Sequence, residues 1–400
     1  MTASSPIDGL VEPGFEAVAE AFTHNFEAGR ETGAAFCLHA GGRKVVDLVG
    51  GSFDAARSRP YGPDALQLVF STTKGATAAC ANLLAQRGEL DLHAPVATYW
   101  PEFAQGGKEH VPVLQLLTHQ AGLPALDARL RPEEVQAWDP VVAALAAQEP
   151  FWEPGTAHGY HALTYGWLVG EVVRRVTGRT LGTYFAEEIA GPLGLEFWIG
   201  LPEEHEHRVS PIIGTLLPEG GSGSGSGLPS NFSSTLLARA LNAGGAFSDP
   251  HWANRREWHA AEVPAANGIT NATSLSRFYA GLVGTVEGGP AEPILTRAQV
   301  DEARTVRTFG PDRVFGSLGF DMEQHIGLGF WVANPFALFG GEGSFGHGGA
   351  GGSYGFADPE NELAIGYVMN EMSMSLTGDA RAHRLVESCY AAVGATPKYF

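Results

Sequence analysis

Ser71-Thr72-Thr73-Lys74 sets a hydroxyl and an amine three residues apart, in LQLVFSTTKGATAACANLLAQRG, a segment with a helical apolar pattern. At helical pitch, positions i and i+3 share a face, with Cβ atoms about 5–6 Å apart. Burial of such a pair would lower the lysine pKa, because a charge is costly away from water, and a neutral amine can then take the serine proton. The chemistry this offers is nucleophilic attack by Ser71 on an acyl carbon. Four residues recur by chance in many chains, so the neighbouring segments must supply the context.

Two other segments could complete such a site. PGTAHGYHALTYGWL puts Tyr160 just before a helical pattern, in a Pro-Gly loop. A phenol beside a lysine can exist partly as phenolate, share the role of base and return a proton to a leaving group. His158 and His161 flank it, and His161 is placed with the residues that line the cleft. FGHGGAGGSYGF puts His347 in a glycine-dense strand, where Gly348 and Gly349 would let a substrate approach the backbone and use its amides as an oxyanion hole.

Other motifs compete with these. Gly351-Gly352-Ser353-Tyr354-Gly355 matches G-x-S-x-G, followed by Asp358 and His383 in hydrolase order. A nucleophile elbow needs a strand–turn–helix setting, and the flanking pattern here reads strand–turn–strand, so Ser353 is assigned to a hairpin. Glu203-Glu204-His205-Glu206-His207 offers donors but no third ligand at metal spacing, and reads as a solvated charge run. No metal and no cofactor is expected. His119 reads as a buried structural histidine, and Trp152, Trp331 and Phe345 as aromatic core or walls of an acyl pocket.

The elements that must position these residues follow from pattern. A helix is expected near Phe15–Glu27, a hairpin around Ala40-Gly41-Gly42-Arg43, and a helix from Ser71 to Arg87 stopped by Gly88. Mostly helical signals run to about residue 310, then strands return before a last helix near Thr377–Val393. The expected fold is α+β: an antiparallel sheet flanked by helices, built from both chain ends (1–68 and 312–400), with a large, mainly helical insertion (69–311). A flexible Gly/Ser loop is expected near 220–230.

Composition sets outer limits. Four hundred residues with a net charge of −19 disfavour nucleic acid and anionic membranes as partners. No apolar stretch reaches membrane-span length, and the N-terminus lacks the basic and apolar regions of a secretory signal. Cys37, Cys80 and Cys389 lie in apolar contexts and read as reduced core residues, so a cytoplasmic location is expected.

In order and spacing, FSTTKGATA, GELDLHAPVATYWPEF, LLTHQAGLP, PGTAHGYHALTYGWLVGEVVRRVTGRTLGTYFAEEIAGPLGL and GHGGAGGSYGFADPE resemble the serine β-lactamase and penicillin-binding-protein superfamily, and within it the class C β-lactamase-like family VIII carboxylesterases. The resemblance implies a β-lactamase/transpeptidase-like fold and an acyl-enzyme on Ser71, with Lys74 and Tyr160 as shared base. It also implies an oxyanion hole from the N–H groups of Ser71 and Ala350. Two motifs depart from the lactam-handling pattern: Tyr160-His161-Ala162 replaces Tyr-x-Asn, and His347-Gly348-Gly349 replaces Lys-Thr-Gly. Losing the amide and the cation favours small uncharged esters over lactams. The expectation is therefore a serine carboxylesterase on short-chain or small aryl esters. An acyltransferase on the same scaffold is the alternative, followed by a β-lactamase or D-aminopeptidase, and last by a non-catalytic binding protein.

Overall fold

The computed structural model describes residues 7–215, 232–319, 322–375 and 378–399. The Gly/Ser stretch expected to be a flexible loop lies outside the described residues. The N-terminal part supplies β1 (Ile7–Val11), β2 (Gly33–Ala40) and β3 (Arg43–Gly51). The C-terminal part supplies β4 (Trp331–Val332), β5 (Phe345–Gly348), β6 (Tyr354–Asp358) and β7 (Leu363–Met369). These strands form one sheet in the order β1-β3-β2-β7-β6-β5-β4, each neighbouring pair antiparallel. The two chain ends meet where β2 pairs with β7, from Ala40 opposite Leu363 to Ala34 opposite Met369. An antiparallel sheet built from both chain ends is the α+β arrangement expected.

The β2–β3 turn shows why glycine is needed there. Gly41 and Gly42 have φ of +55° and +73°, as a two-residue hairpin turn requires. A side chain on Gly42 would also stand 2.1 Å from the Thr285 carbonyl oxygen.

Five helices matter for the site: α1 (Glu16–Glu27), α2 (Thr73–Gln86), α3 (Thr164–Thr177), α4 (Ala272–Val283) and α5 (Ala380–Ala392). Successive residues of β2 point to opposite faces, and both faces are apolar. Ala34, Phe36 and Leu38 share a core with Val18 and Phe22 of α1 and Leu385 and Tyr390 of α5. Ala35 and Cys37 share another with Leu275 and Tyr279 of α4. Each such fully buried Leu or Phe contributes about 1.5–3 kcal/mol. The sequence reading grouped α4 with the helical insertion, yet it packs on the sheet. An amphipathic pattern tells that a helix has an apolar face, not what covers it.

Thr73 to Leu84 of α2 are all buried, which fits a run made mostly of Ala, Gly, Thr and Leu, with Lys74 and Asn82 as its strongly polar members. Gly75 is pressed by Tyr279, whose hydroxyl would lie 2.3 Å from any Cβ there. A short sheet, Gln67–Leu68 against Ile269–Thr270 against Phe197–Trp198, fixes the chain just before α2. Cys37, Cys80 and Cys389 are free, buried thiols. Among the described residues no helix is long and apolar enough to cross a membrane.

Candidate active site

Val69 enters the site hydrogen-bonded to Gly268, with its N–H 2.9 Å from the Gly268 carbonyl oxygen. Phe70 then takes a left-handed conformation, φ +46°, which costs a bulky residue about 1–3 kcal/mol and is held by its surroundings. This twist brings Ser71, half-buried, to the mouth of α2. Thr73 tightens the turn by donating its hydroxyl to Phe70 O at 2.5 Å while accepting from Gly268 N–H at 2.8 Å.

Lys74, one helical turn along, is fully buried. Its Nζ lies 3.2 Å from Ser71 Oγ, 2.7 Å from Ala162 O and 2.9 Å from Ala265 O. Burial holds its pKa well below the ordinary lysine value. A neutral amine has two N–H bonds and one lone pair. With the two carbonyls taking the N–H bonds, the lone pair is left for the Ser71 hydroxyl. The amide absent at position 162 is thus not needed to orient the lysine, since the Ala162 backbone carbonyl does it.

Tyr160 is buried and shares the cavity wall with Ser71, with its ring centroid 4.8 Å from Lys74 Nζ. Burial pushes its phenol above the ordinary tyrosine value. Burial, with the Asp312 carboxylate acting the same way, favours the neutral hydroxyl over the partial phenolate expected from sequence.

His161 and His119 are scaffold. His161 Nδ1 donates to Gly159 O at 2.6 Å, and its Nε2 accepts from Leu123 N–H at 3.0 Å. Burial lowers its pKa to about 3. Both ring nitrogens are committed to backbone, so the assignment of His161 to substrate binding is corrected. His119 is buried as expected; its Nδ1 accepts from His161 N–H at 3.0 Å, and its ring stacks on Tyr165 at 4.9 Å.

His347 is also fully buried, with Nδ1 donating to Gly348 O at 2.6 Å and its ring stacked on Trp331 at 4.0 Å. Burial holds it neutral. It stands behind Trp331 and Tyr160 rather than at the cavity wall, so it supports the substrate-facing residues instead of joining them. Gly348 and Gly349 are buried as well. A Cβ on Gly349 would lie 2.1 Å from Ser353 Oγ and 2.2 Å from Val69 O. Its missing side chain makes room for protein, not for substrate as the sequence reading proposed.

The cavity at Ser71 is walled by Phe70, Ser71, Tyr160, Ala162, Leu163, Leu237, Leu241, Trp252, Ala266, Phe315, Trp331 and Ala350. None of these carries a charge. Trp331 is a wall, as one reading had it, whereas Trp152 donates its Nε1–H to Ala157 O at 3.0 Å and Phe345 packs on Phe330 in the core. Among the described residues, the N–H groups of Ser71 and Ala350 have no hydrogen-bond acceptor, while those of Gly349, Gly351 and Gly352 each have one. Two unpaired amides on one cavity are what a developing oxyanion needs.

Sequence reasoning missed Asp312. Its buried carboxylate accepts from the N–H groups of Tyr160, Val314 and Phe315, each at 2.8 Å, and so fixes the Tyr160 backbone. Burial pushes its pKa up to about 7 against those three donors. The Gly310-Pro311-Asp312 turn signature was the available signal, since aspartate in such a turn captures following N–H groups.

Ser353 donates to Val69 O at 2.8 Å, is fully buried and begins no helix. Asp358 instead engages Tyr390 and Asn361. Ser353→Ala is expected to cost about 1 kcal/mol in urea denaturation while keeping most catalytic activity. Complete loss of activity in a folded variant would restore the elbow reading. In the 203–208 turn, Glu206 pairs with His259 at 2.9 Å, and His205 lies against Trp198 at 4.6 Å.

The profile of the family described as Beta-lactamase matches residues 18–388. The chain is 34% identical over 381 residues to the "Esterase/beta-lactamase LipL" of Mycobacterium tuberculosis, covering 91% of this chain and 83% of that one. Its fold is similar to a crystal structure of a family VIII carboxylesterase, with a TM-score of 0.86, 40% identity and coverage of 97% and 100%. It is also similar to EstA from Arthrobacter nitroguajacolicus Rue61a, with a TM-score of 0.85, 34% identity and coverage of 97% and 99%.

Proposed function

This chain belongs to the Beta-lactamase family, and from that premise we propose that it is a serine carboxylesterase acting on short-chain or small aryl esters. The observation that carries the reading is a fully buried Lys74 whose Nζ lies 3.2 Å from Ser71 Oγ beside an uncharged cavity. Lys74, as neutral amine, takes the Ser71 proton while Oγ attacks the ester carbonyl. The N–H groups of Ser71 and Ala350 receive the oxyanion. On collapse the C–O bond to the alcohol breaks, and the proton passes from Lys74, by way of the Tyr160 hydroxyl, to the departing alkoxide. Water then attacks the acyl carbon and gives a proton to the same amine; the bond to Ser71 Oγ breaks, Lys74 returns that proton to Oγ, and the acid is released with Ser71 restored.

The substrate class rests on the walls. A lactam carboxylate entering this cavity would meet Leu, Phe, Trp and Ala with no cation to pair with, and burying it unpaired is unfavourable. An uncharged acyl group meets no such penalty. The esterases among the similar proteins support the same choice. The purified protein is therefore expected to turn over p-nitrophenyl butyrate with kcat/KM at least ~100-fold above that for nitrocefin, the scale of one unpaired buried charge or more. Comparable efficiencies would overturn the preference for esters.

A further inference from the structure

Ala350 lies in Gly348-Gly349-Ala350-Gly351-Gly352, the least rigid composition a chain can offer, because glycine has the most conformational freedom to lose. Gly351 and Gly352 sit at φ +86° and +128°. An oxyanion hole works only if its N–H groups are fixed before charge develops, so something outside this loop must hold it.

We propose that Arg381, on the last helix, is a positioning residue that holds the Ala350 amide in the oxyanion site; the inference rests on the ester-hydrolase reading above. Arg381 is 4% exposed, and its Nη2 donates to Gly351 O at 2.7 Å. The same carbonyl accepts from Ser373 N–H at 2.9 Å, and Gly351 N–H donates to Ser375 O at 2.9 Å. The residue following Ala350 is thus pinned on both sides of its peptide. Gly352 is shaped for this contact: a Cβ there would lie 2.7 Å from Arg381 Nη2.

The rest of the guanidinium is fixed too. Nε and Nη2 donate to the Asp379 carboxylate, at 3.1 and 2.7 Å. Nη1 reaches Glu31 Oε2 at 3.2 Å, Arg30 O at 3.1 Å and Glu371 O at 2.9 Å. Glu31 in turn accepts from the Tyr367 hydroxyl, in β7. Arg381 therefore ties the catalytic loop to the N-terminal segment, the end of β7 and α5 at once. A planar fork with five donors can do this; a lysine ammonium cannot match its geometry.

The test is Arg381→Lys, which keeps a cation for Glu31 and Asp379, with Arg381→Met as a harsher variant. Each is assayed well below its melting temperature with p-nitrophenyl butyrate and with a boronic acid that forms a tetrahedral adduct on Ser71. For Arg381→Lys the expected result is a fall in kcat of ~10-fold or more, a comparable loss of boronic acid affinity, and a KM within about threefold of wild type. A kcat within twofold of wild type, or a KM that rises as much as kcat/KM falls, would overturn the proposal even if the melting temperature dropped. Wild type and Ser71→Ala run alongside: absence of Ser71-dependent hydrolysis in the wild type would sink the esterase reading itself, and is told apart from failure of the brace alone.

Discussion

Ser71→Ala is expected to abolish hydrolysis of p-nitrophenyl butyrate, with kcat reduced by about 10⁴-fold or more, while the fold is retained. Lys74 Nζ lies 3.2 Å from this hydroxyl, Tyr160 lines the same cavity, and among the described residues no second serine and no cysteine lines it. Ser353, the competing serine, is spent on the Val69 carbonyl. Retention of the fold is expected because Ser71 is half-buried and an alanine fits the same turn. A fluorophosphonate probe followed by peptide mass spectrometry should modify Ser71 in the wild type and nothing in the variant. Substantial turnover by a folded Ser71→Ala protein would end the mechanism.

Lys74→Arg should be nearly as damaging, at about 10²- to 10⁴-fold in kcat, although it preserves positive charge. Arginine stays protonated and has no lone pair to offer. If Lys74 acted only as a fixed cation, arginine would retain much of the activity, so the substitution separates base from charge. The pH profile makes an independent check. The base must be neutral, so kcat/KM rises with pH as Lys74 loses its proton. Burial holds that pKa well below its ordinary value, which moves the acid limb in the same direction. A limb centred near the ordinary lysine value of about 10.4 would show that the amine is not desolvated as described.

Much of the scaffold was legible because it is written in local pattern. The 40–43 turn, the stop at Gly88 and the helix that carries Lys74 follow from glycine placement and period, although that helix begins at Thr73 and leaves Ser71 in the turn before it. The residues that failed to transfer did so for one reason: glycine and histidine look alike in sequence whether they face a substrate or the protein. Gly349 yields its side-chain space to Ser353 and Val69, and His161 gives both nitrogens to backbone. Neither arrangement has a sequence signature, since the partners come from distant segments. Tyr160 was misjudged in its ionisation for a related reason. Sequence showed the neighbouring lysine but not the depth of burial, which favours the neutral phenol.

By itself the sequence determined the chemical parts and their order: a serine and a lysine one helical turn apart, a tyrosine in a rigid loop, and strands at both chain ends. These rest on short-range geometry, where a spacing of three residues already fixes which side chains meet. Only the tertiary structure decided what surrounds them. It buried Lys74 between the carbonyls of Ala162 and Ala265, set Asp312 under Tyr160, and brought Arg381 to the loop after Ala350. Those contacts join positions 88 to 191 residues apart in three of the four cases and 30 in the last. Desolvation and long-range hydrogen bonding depend on the packed whole, so no local pattern could carry them.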